Sequence, residues 1–348
     1  VVAPDNRRLA DLLYAASVEA AGHMAQALRR ASRRALEWPE QAYAVAASGR
    51  SLTELAGIGP VLAGMLGAWI SDPPPAPERD PSREGFLTMA DVRAALAAAP
   101  AFRNARGDLQ MHTRWSDGAA SIREMALAAA GHGYEYLAIT DHTRSLKIVG
   151  GMDEEALAAQ GLEVEAANAE GGPTVLWSVE LNLDPEGRGD MEPAVLRRLD
   201  LVLGSFHSAL RRTDDQTGRY LAALRNPEVH ILGHPRGRMY GRRVGLTADW
   251  DRVFAEAARL GKAVEVDAFP DRQDIDVRLL RRAAAAGAHV SIGSDAHHPS
   301  QLRYLEYGLG AAALAGVPPG QILNYWSADE IRAWAARLRE EAGRPAAV

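Results

Sequence analysis

Seven short runs rich in aliphatic residues recur between residues 107 and 294, and alanine-rich stretches with helical spacing separate several of them. They read GDLQMH (107–112), EYLAIT (135–140), TVLWSV (174–179), LDLVLGS (199–205), VHILGH (229–234), KAVEVDA (262–268) and HVSIGS (289–294). The connections include SIREMALAAAGHG and DWDRVFAEAARLGK, whose apolar residues return every three or four positions. Strand–helix alternation of this kind predicts a parallel sheet covered on both faces, and seven units in one domain predict closure into an α/β barrel. Barrels of parallel strands gather their reactive groups where the strands end.

The residues at those ends share one chemistry. The first run supplies Asp108, Gln110 and His112, with Asp117 following in WSDG. The second leads to His142, the third to Glu180, the fourth to His207 and the fifth to His234, while the seventh leads to Asp295 and His297. Six of the seven runs therefore carry His, Asp or Glu at the same end. Closure would bring these side chains together across almost 190 residues of sequence. The chain has no cysteine, so any metal must be held by imidazole and carboxylate, which suits Zn, Mn or Fe. The donors exceed the needs of one ion, and two or three divalent metals are expected. Paired ions lower the pKa of a shared water and stabilise the attacking and leaving oxygens of phosphoryl displacement. Asp117, His142, Glu180 and Asp295 are the catalytic candidates within this ring. Arg114, Arg144, Arg236, Arg238, Arg242, Arg243 and Arg272 flank the same motifs and are candidates to clamp phosphate. The remaining histidines read differently. His132 stands where a helix should end, His23, His230 and His289 lack a motif, and His298 fits the ligand position less well than His297.

Before the barrel, residues 5–72 have uninterrupted helical patterning. Gly57-Ile58-Gly59 separates two short apolar helices, a turn that leaves N–H groups free to hold a phosphate oxygen. With the face carrying Arg29, Arg30, Arg33 and Arg34, Gly57 and Gly59 form the candidate DNA contact. The net charge of −6 opposes a generally basic binder, so DNA affinity is expected to be weak, local and salt-sensitive. The proline-rich SDPPPAPERDPSREG reads as an exposed, semi-extended linker. The expected organisation is a helical domain at 1–72, a linker with a short helix at 73–103, and the barrel at 104–348. No apolar run approaches the roughly 20 residues that span a bilayer, and no signal peptide is evident, so no membrane partner is expected and a cytoplasmic location is.

The motifs GDLQMHTRWSDG, YLAITDHTRSL, FHSAL, ILGHPRGRMYGRR, EVDAFPDRQD and SIGSDAHHPSQL, from about residue 104 to 335, resemble the PHP (polymerase and histidinol phosphatase) domain of bacterial family X DNA polymerases. The resemblance implies a distorted seven-stranded barrel with a trinuclear metal site. Its ligands would be His112, Asp117, His142, Glu180 as a bridging carboxylate, His207, His234, Asp295 and His297. Gln110 departs from the usual His-x-His opening. Asp108, on the same face of the strand, is the expected substitute, and because the family X version often carries this glutamine, activity is expected to persist. The N-terminal part is similar to the helical domain of those polymerases, including its helix-hairpin-helix. The palm and fingers have no counterpart, so polymerisation is not expected. The lysine of the deoxyribose-phosphate lyase is missing from GPVLAGML, since the chain's two lysines are Lys147 and Lys262. The resemblance thus implies a metal-dependent phosphoesterase acting on DNA 3′ ends or damaged sites, alongside a polymerase or other repair proteins. A 3′-5′ exonuclease is the first expectation, with 3′-phosphatase and abasic-site endonuclease activities beside it. The alternatives are a small-molecule phosphatase of the histidinol-phosphatase type and a non-catalytic DNA-binding scaffold.

Overall fold

Each of the seven runs forms a strand in a computed structural model of the chain, which describes residues 2–78 and 80–342. The strands are β1 (Gly107–Asp108), β2 (Tyr136–Ile139), β3 (Thr174–Asn182), β4 (Leu201–Ser205), β5 (Ile231–Leu232), β6 (Ala263–Asp267) and β7 (His289–Gly293). They pair in sequence order and all in parallel. Beyond β1 the chain stays extended and meets the end of β7: Met111 bridges Ala296, His112 N–H donates to Ala296 O at 2.8 Å and Asp295 N–H donates to Gln110 O at 3.1 Å. The sheet therefore comes close to a complete (β/α)7 barrel. At the opposite end of this seam the fully buried Asn324 does the joining. It accepts from Ile292 N–H at 2.8 Å and donates to Ile292 O at 2.8 Å and Gly107 O at 2.9 Å.

Thirteen α-helices and seven short 3-10 helices accompany the strands among the described residues. The N-terminal segment contains α1 (Asn6–Glu19), α2 (Gly22–Arg34), α3 (Ala42–Ala47) and α4 (Pro60–Ser71), followed by α5 (Met89–Ala98). Around the barrel run α6 (Ile122–Gly131), α7 (Glu154–Glu170), α8 (Pro193–Leu196), α9 (Thr217–Arg225), α10 (Trp250–Arg259), α11 (Val277–Ala285), α12 (Leu305–Ala315) and α13 (Ala328–Ala342). Capping fixes where several begin. Ser121 and Glu124 form a reciprocal capping box at α6, as Thr88 and Asp91 do at α5. None of these helices is long and apolar enough to cross a membrane.

Helices α1 to α4 bury a core of their own around Leu9, Leu13, Leu28, Trp38 and Leu66. The turn expected at Gly57-Ile58-Gly59 is present. Gly57 takes φ +81°, a conformation that favours glycine, Ile58 is buried beneath it, and Gly59 is the N-cap of α4. The segment expected as an exposed, semi-extended linker is exposed over much of 71–78 and packs against its neighbours further on. Arg83 and Phe86 are buried, and α5 contributes Met89, Val92 and Leu96 to the barrel's outer core. The reason is that a proline-rich composition restrains the backbone without preventing individual large side chains from packing. The expected domain limits at residues 1 and 348 lie outside the described residues.

Candidate metal centre

At the C-terminal ends of the strands, eight side chains converge. His112 Nε2 lies 3.0 Å from Asp295 Oδ1 and 3.4 Å from Glu180 Oε2. His142 Nδ1 is 3.2 Å from Glu180 Oε2, while His207 Nε2 and His234 Nε2 are 3.0 and 2.6 Å from Glu180 Oε1. Asp117 Oδ1 is 3.4 Å from His297 Nε2 and 3.8 Å from a nitrogen of both His112 and His142. Three donor groups result: His112, Asp117, His142 and His297; His142, Glu180 and His207; His112, Glu180 and Asp295. His234 falls outside these groups but touches Glu180, which belongs to two of them.

Local structure explains how each donor is presented. In the loop after β1, Gly118 lies against the His112 backbone, where an added Cβ would come within 2.5 Å of the His112 carbonyl. The loop can fold back, and present Asp117, because that position has no side chain. Asp295 has φ +52°, unusual for a non-glycine residue, and its N–H bond to Gln110 O holds it against β1. His207 has Nδ1 at 3.0 Å from Asn182 Oδ1, so the ring is oriented with Nε2 toward Glu180. His297 Nδ1 lies 2.7 Å from Asp295 O, which aims its Nε2 at Asp117.

These residues fit divalent cations. Both ring nitrogens of His112, Nδ1 of His142 and Oε2 of Glu180 are buried without a hydrogen bond, although ring donors surround them at 3.0–3.8 Å. Lone pairs that approach without aligning are what an ion with bonds of roughly 2.0–2.2 Å would organise. The electrostatics agree. Burial opposes ionisation of Glu180, but the rings of His142, His234 and His207 hold its carboxyl well below the usual range. Burial likewise opposes the charge on His234, yet Glu180 outweighs it and pushes the imidazole up to about 10. His297 rises to about 9, with Asp117 and Asp295 overcoming its burial, and His142, where burial dominates, falls to about 4. The ring is thus a set of carboxylates that needs positive charge from histidine protons or from metal. Asp117 and His297 keep 28% and 27% of their side chains exposed while Glu180 keeps 1%, which locates the open side.

Other expected residues sit elsewhere. Asp108, the proposed substitute for Gln110, belongs to none of the three groups. Its Oδ1 accepts from Ser294 N–H at 3.0 Å and Gln110 N–H at 3.3 Å, one layer deeper in the barrel. Gln110 has neither amide atom hydrogen-bonded. Among the arginines, Arg114 pairs with Glu124 and Arg144 with Glu154, while Arg236 and Arg238 are buried and share Asp276. These four have acidic partners outside the ring, which weakens their expected role as clamps on phosphate bound at the metals. Arg242 is exposed and Arg243 half-buried. Arg272 is the member whose charge faces the ring: burial opposes its ionisation, but Asp295 and Asp267 raise its pKa. On α2, Arg29, Arg30, Arg33 and Arg34 are all exposed, and Arg34 also pairs with Glu37. His132 stands at the C-cap of α6, His230 accepts from Val202 N–H, His289 packs on Trp326, and His298 caps the turn at 299–304.

The sequence reading passed over β6. Glu265 and Asp267 alternate into the barrel and are fully buried; Glu265 Oε2 accepts His234 N–H at 2.7 Å, and Asp267 Oδ1 accepts Phe269 N–H at 2.8 Å. Acidic residues two apart in an otherwise aliphatic strand were the available signal. Asp141 was also missed. Fully buried beside His142, it accepts from Thr113 N–H, Thr113 Oγ1, Ser116 Oγ and Gln160 Nε2 at 2.6–2.8 Å, and so fastens the loop that carries Asp117.

Residues 108–256 match the family model of the PHP domain. The chain is 38% identical over 234 residues to "DNA polymerase/3'-5' exonuclease PolX" of Bacillus subtilis, a match that covers 67% of this chain and 41% of that protein. It therefore spans less than half the length of that relative. It is 30% identical over 200 residues to a "Probable phosphatase" of Acetivibrio thermocellus, covering 55% of this chain and 78% of that one. A solved histidinol phosphate phosphatase from Lactococcus lactis superposes with a TM-score of 0.40 at 14% identity, over 69% of this chain and 94% of that structure.

Proposed function

This chain belongs to the PHP domain family and is a metal-dependent hydrolase of phosphate esters, and from that premise we propose that the ester it cleaves is the 3′-terminal phosphodiester of DNA. It would act as a 3′-5′ exonuclease in repair or end processing, with a 3′-phosphate or an abasic site as related substrates. The observation that carries the DNA reading is arginine charge felt near the metal centre. The Asp271 carboxyl lies in the fields of Arg272, of Arg33 from α2 and of Arg242, and in that of the ring carboxylate Asp295. Positive groups from the helical segment and from two barrel loops thus act on one carboxylate that also feels the ring, and exposed Arg33 and Arg242 would suit a strand longer than a single nucleotide. The name of the B. subtilis relative supports the same direction.

Two or three divalent ions, of Zn, Mn or Fe type, would supply Lewis acidity toward water and the phosphoryl oxygens. Glu180 would span two of them, since it is common to two donor groups, and His234 and His207 would fix its Oε1 edge. Asp117 and His297, on the open side, would meet the substrate first. Arg272 would face the charge that develops on the phosphoryl group.

The test is digestion of DNA labelled at its 3′ end with Mn²⁺-loaded protein. Shortening from that end is expected, and it should be lost in Asp295→Ala and His142→Ala proteins that remain folded. Intact, metal-loaded protein that leaves all three DNA substrates untouched would refute the reading. The phosphatase relatives, matched over most of their length, favour a second one, hydrolysis of small phosphomonoesters. The ratio of kcat/KM for histidinol phosphate and an oligonucleotide decides between them.

A further inference from the structure

Arg236 and Arg238 follow the ligand His234 in sequence, yet they line a separate cleft of about 540 Å³ that includes none of the metal-ring residues. One wall is the segment from Pro81 to Leu87, and the other is the start of α11 with Val244 and Leu314. The charges around it are unbalanced. Five arginines line it, Arg7, Arg236, Arg238, Arg278 and Arg281, against two acids, Glu84 and Asp276. In a chain whose net charge is −6 this is a local reversal of sign.

Two buried arginines form the deepest part. Arg236 is 8% and Arg238 3% exposed, so both guanidinium groups lie almost out of water. They share a single oxygen: Asp276 Oδ2 accepts from Arg236 Nη1 at 2.9 Å and from Arg238 Nη1 at 3.2 Å. The other oxygen of Asp276 is committed to the Leu279 N–H at the start of α11. Arg236 Nε is buried and has no hydrogen-bond partner. Arg238 is held rigidly, stacked 3.8 Å over the Phe86 ring and donating to Glu84 O at 2.8 Å. Asp276 is the one acid that pairs with them directly, the buried Asp274 lies in the field of both, and Arg236 Nη2 donates to Val244 O at 2.8 Å; the unpartnered Arg236 Nε and the exposed arginines at the rim are the groups left to hold phosphate oxygens. Arg278 and Arg281 stand exposed at the rim, where they extend the same sign toward solvent.

We propose that this cleft is a phosphate-binding site, separate from the metal centre, that takes the backbone of the DNA strand whose end is being hydrolysed. It rests on the DNA reading above. The cleft adds a grip on non-reacting phosphates, which holds the strand between successive cleavages. It contributes to strand binding and to KM, and leaves the chemistry at the ring alone.

The experiment uses the full chain and an Arg278→Glu/Arg281→Glu double variant, chosen because both side chains are exposed. Anisotropy of a 5′-labelled single-stranded oligonucleotide is titrated at several salt concentrations, and hydrolysis of p-nitrophenyl phosphate is measured in parallel. The variant is expected to bind the oligonucleotide at least tenfold more weakly. Its slope of log affinity against log salt should fall by about 1.4, the loss of two single-strand phosphate contacts. Hydrolysis of the small ester should be unchanged. Equal oligonucleotide affinity and slope in both proteins would overturn the cleft while leaving the DNA reading intact. If the wild type bound no oligonucleotide but bound inorganic phosphate or a mononucleotide through Arg278 and Arg281, the cleft would be a small-anion site. The proposal and the DNA reading would then fail together.

Discussion

Asp141 illustrates how much of the metal centre depends on side chains that touch no metal. Its two oxygens receive four hydrogen bonds, three of them from Thr113 and Ser116 in the loop that ends at Asp117. Asp141→Asn replaces one acceptor with an amide that confronts the Gln160 amide, and Gln160 cannot rotate without releasing Trp177 Nε1, bonded at 3.2 Å. The expected cost is about 2–3 kcal/mol of stability and on the order of tenfold in retained metal, checked by urea unfolding and by elemental analysis after dialysis. Normal metal content in the folded variant would remove Asp141 from the site's support. Asp108 gives a prediction of opposite sign. Burial, helped by the charge of Asp295 and opposed by the Ser294 and Gln110 N–H groups, raises its carboxyl to about 7. An acid with a raised folded pKa stabilises the fold below its unfolded value and loses that contribution as pH rises through about 7. In chelator-treated protein, Asp108→Asn should therefore gain on the order of 4 kcal/mol at pH 8 and nothing at pH 3, with metal affinity unchanged. A loss of metal would instead make Asp108 a ligand. The ring histidines were legible because His and Asp at strand ends stand out from an aliphatic background. Asp141 was hidden beside His142 in TDH, and Asp108 needed its depth in the barrel to be known.

The strands were the most legible elements, since all seven runs lie in the sheet in the expected order. Runs such as AVEVD and LVLGS, buried at every position, have no alternative to a sheet covered on both faces. What the runs did not reveal is how the first meets the last. β1 and β7 contact each other mainly near the metal end, and at the other end Asn324 makes three bonds to their backbones. Its position in ILNYW, with no strand pattern around it, gives no sign of this. Asn324→Ala would leave the Ile292 N–H and the Gly107 carbonyl without the bonds it provides, at a cost of about 3 kcal/mol. Amide exchange should then accelerate at Ile292 ahead of the β3–β4 ladder. Uniform exchange across the sheet would mean that the seam is closed by packing alone.

One residue of the stretch that composition marks as a linker takes a central part in fastening the helical segment to the barrel. Arg83 Nε donates to Asp11 Oδ1 at 2.6 Å, and Nη2 donates to Ala10 O, Ser32 Oγ and the Tyr240 hydroxyl. Its guanidinium also lies over the rings of Tyr14 and Tyr240. It thus joins α1 and α2 to a loop of the barrel. Tyr307 Oη to Leu36 O, at 2.7 Å, and Arg303 and Tyr304 to Glu37, at 3.0 Å, reinforce the junction. A single arginine amid prolines carries no periodicity, so the sequence could suggest the two units but not their attachment. Arg83→Met keeps much of the apolar volume but removes the donors, leaving the Asp11 carboxylate and Tyr240 hydroxyl short of a partner. About 2–3 kcal/mol of coupling should be lost. Wild-type protein is expected to unfold in one calorimetric transition, and Arg83→Met in two, the lower one belonging to the helical segment. Metal stabilises whatever folded unit holds the ring. Chelation should therefore lower the single wild-type transition, but only the upper transition of the variant. If chelation shifts both of the variant's transitions equally, the helical segment depends on the barrel through contacts other than Arg83.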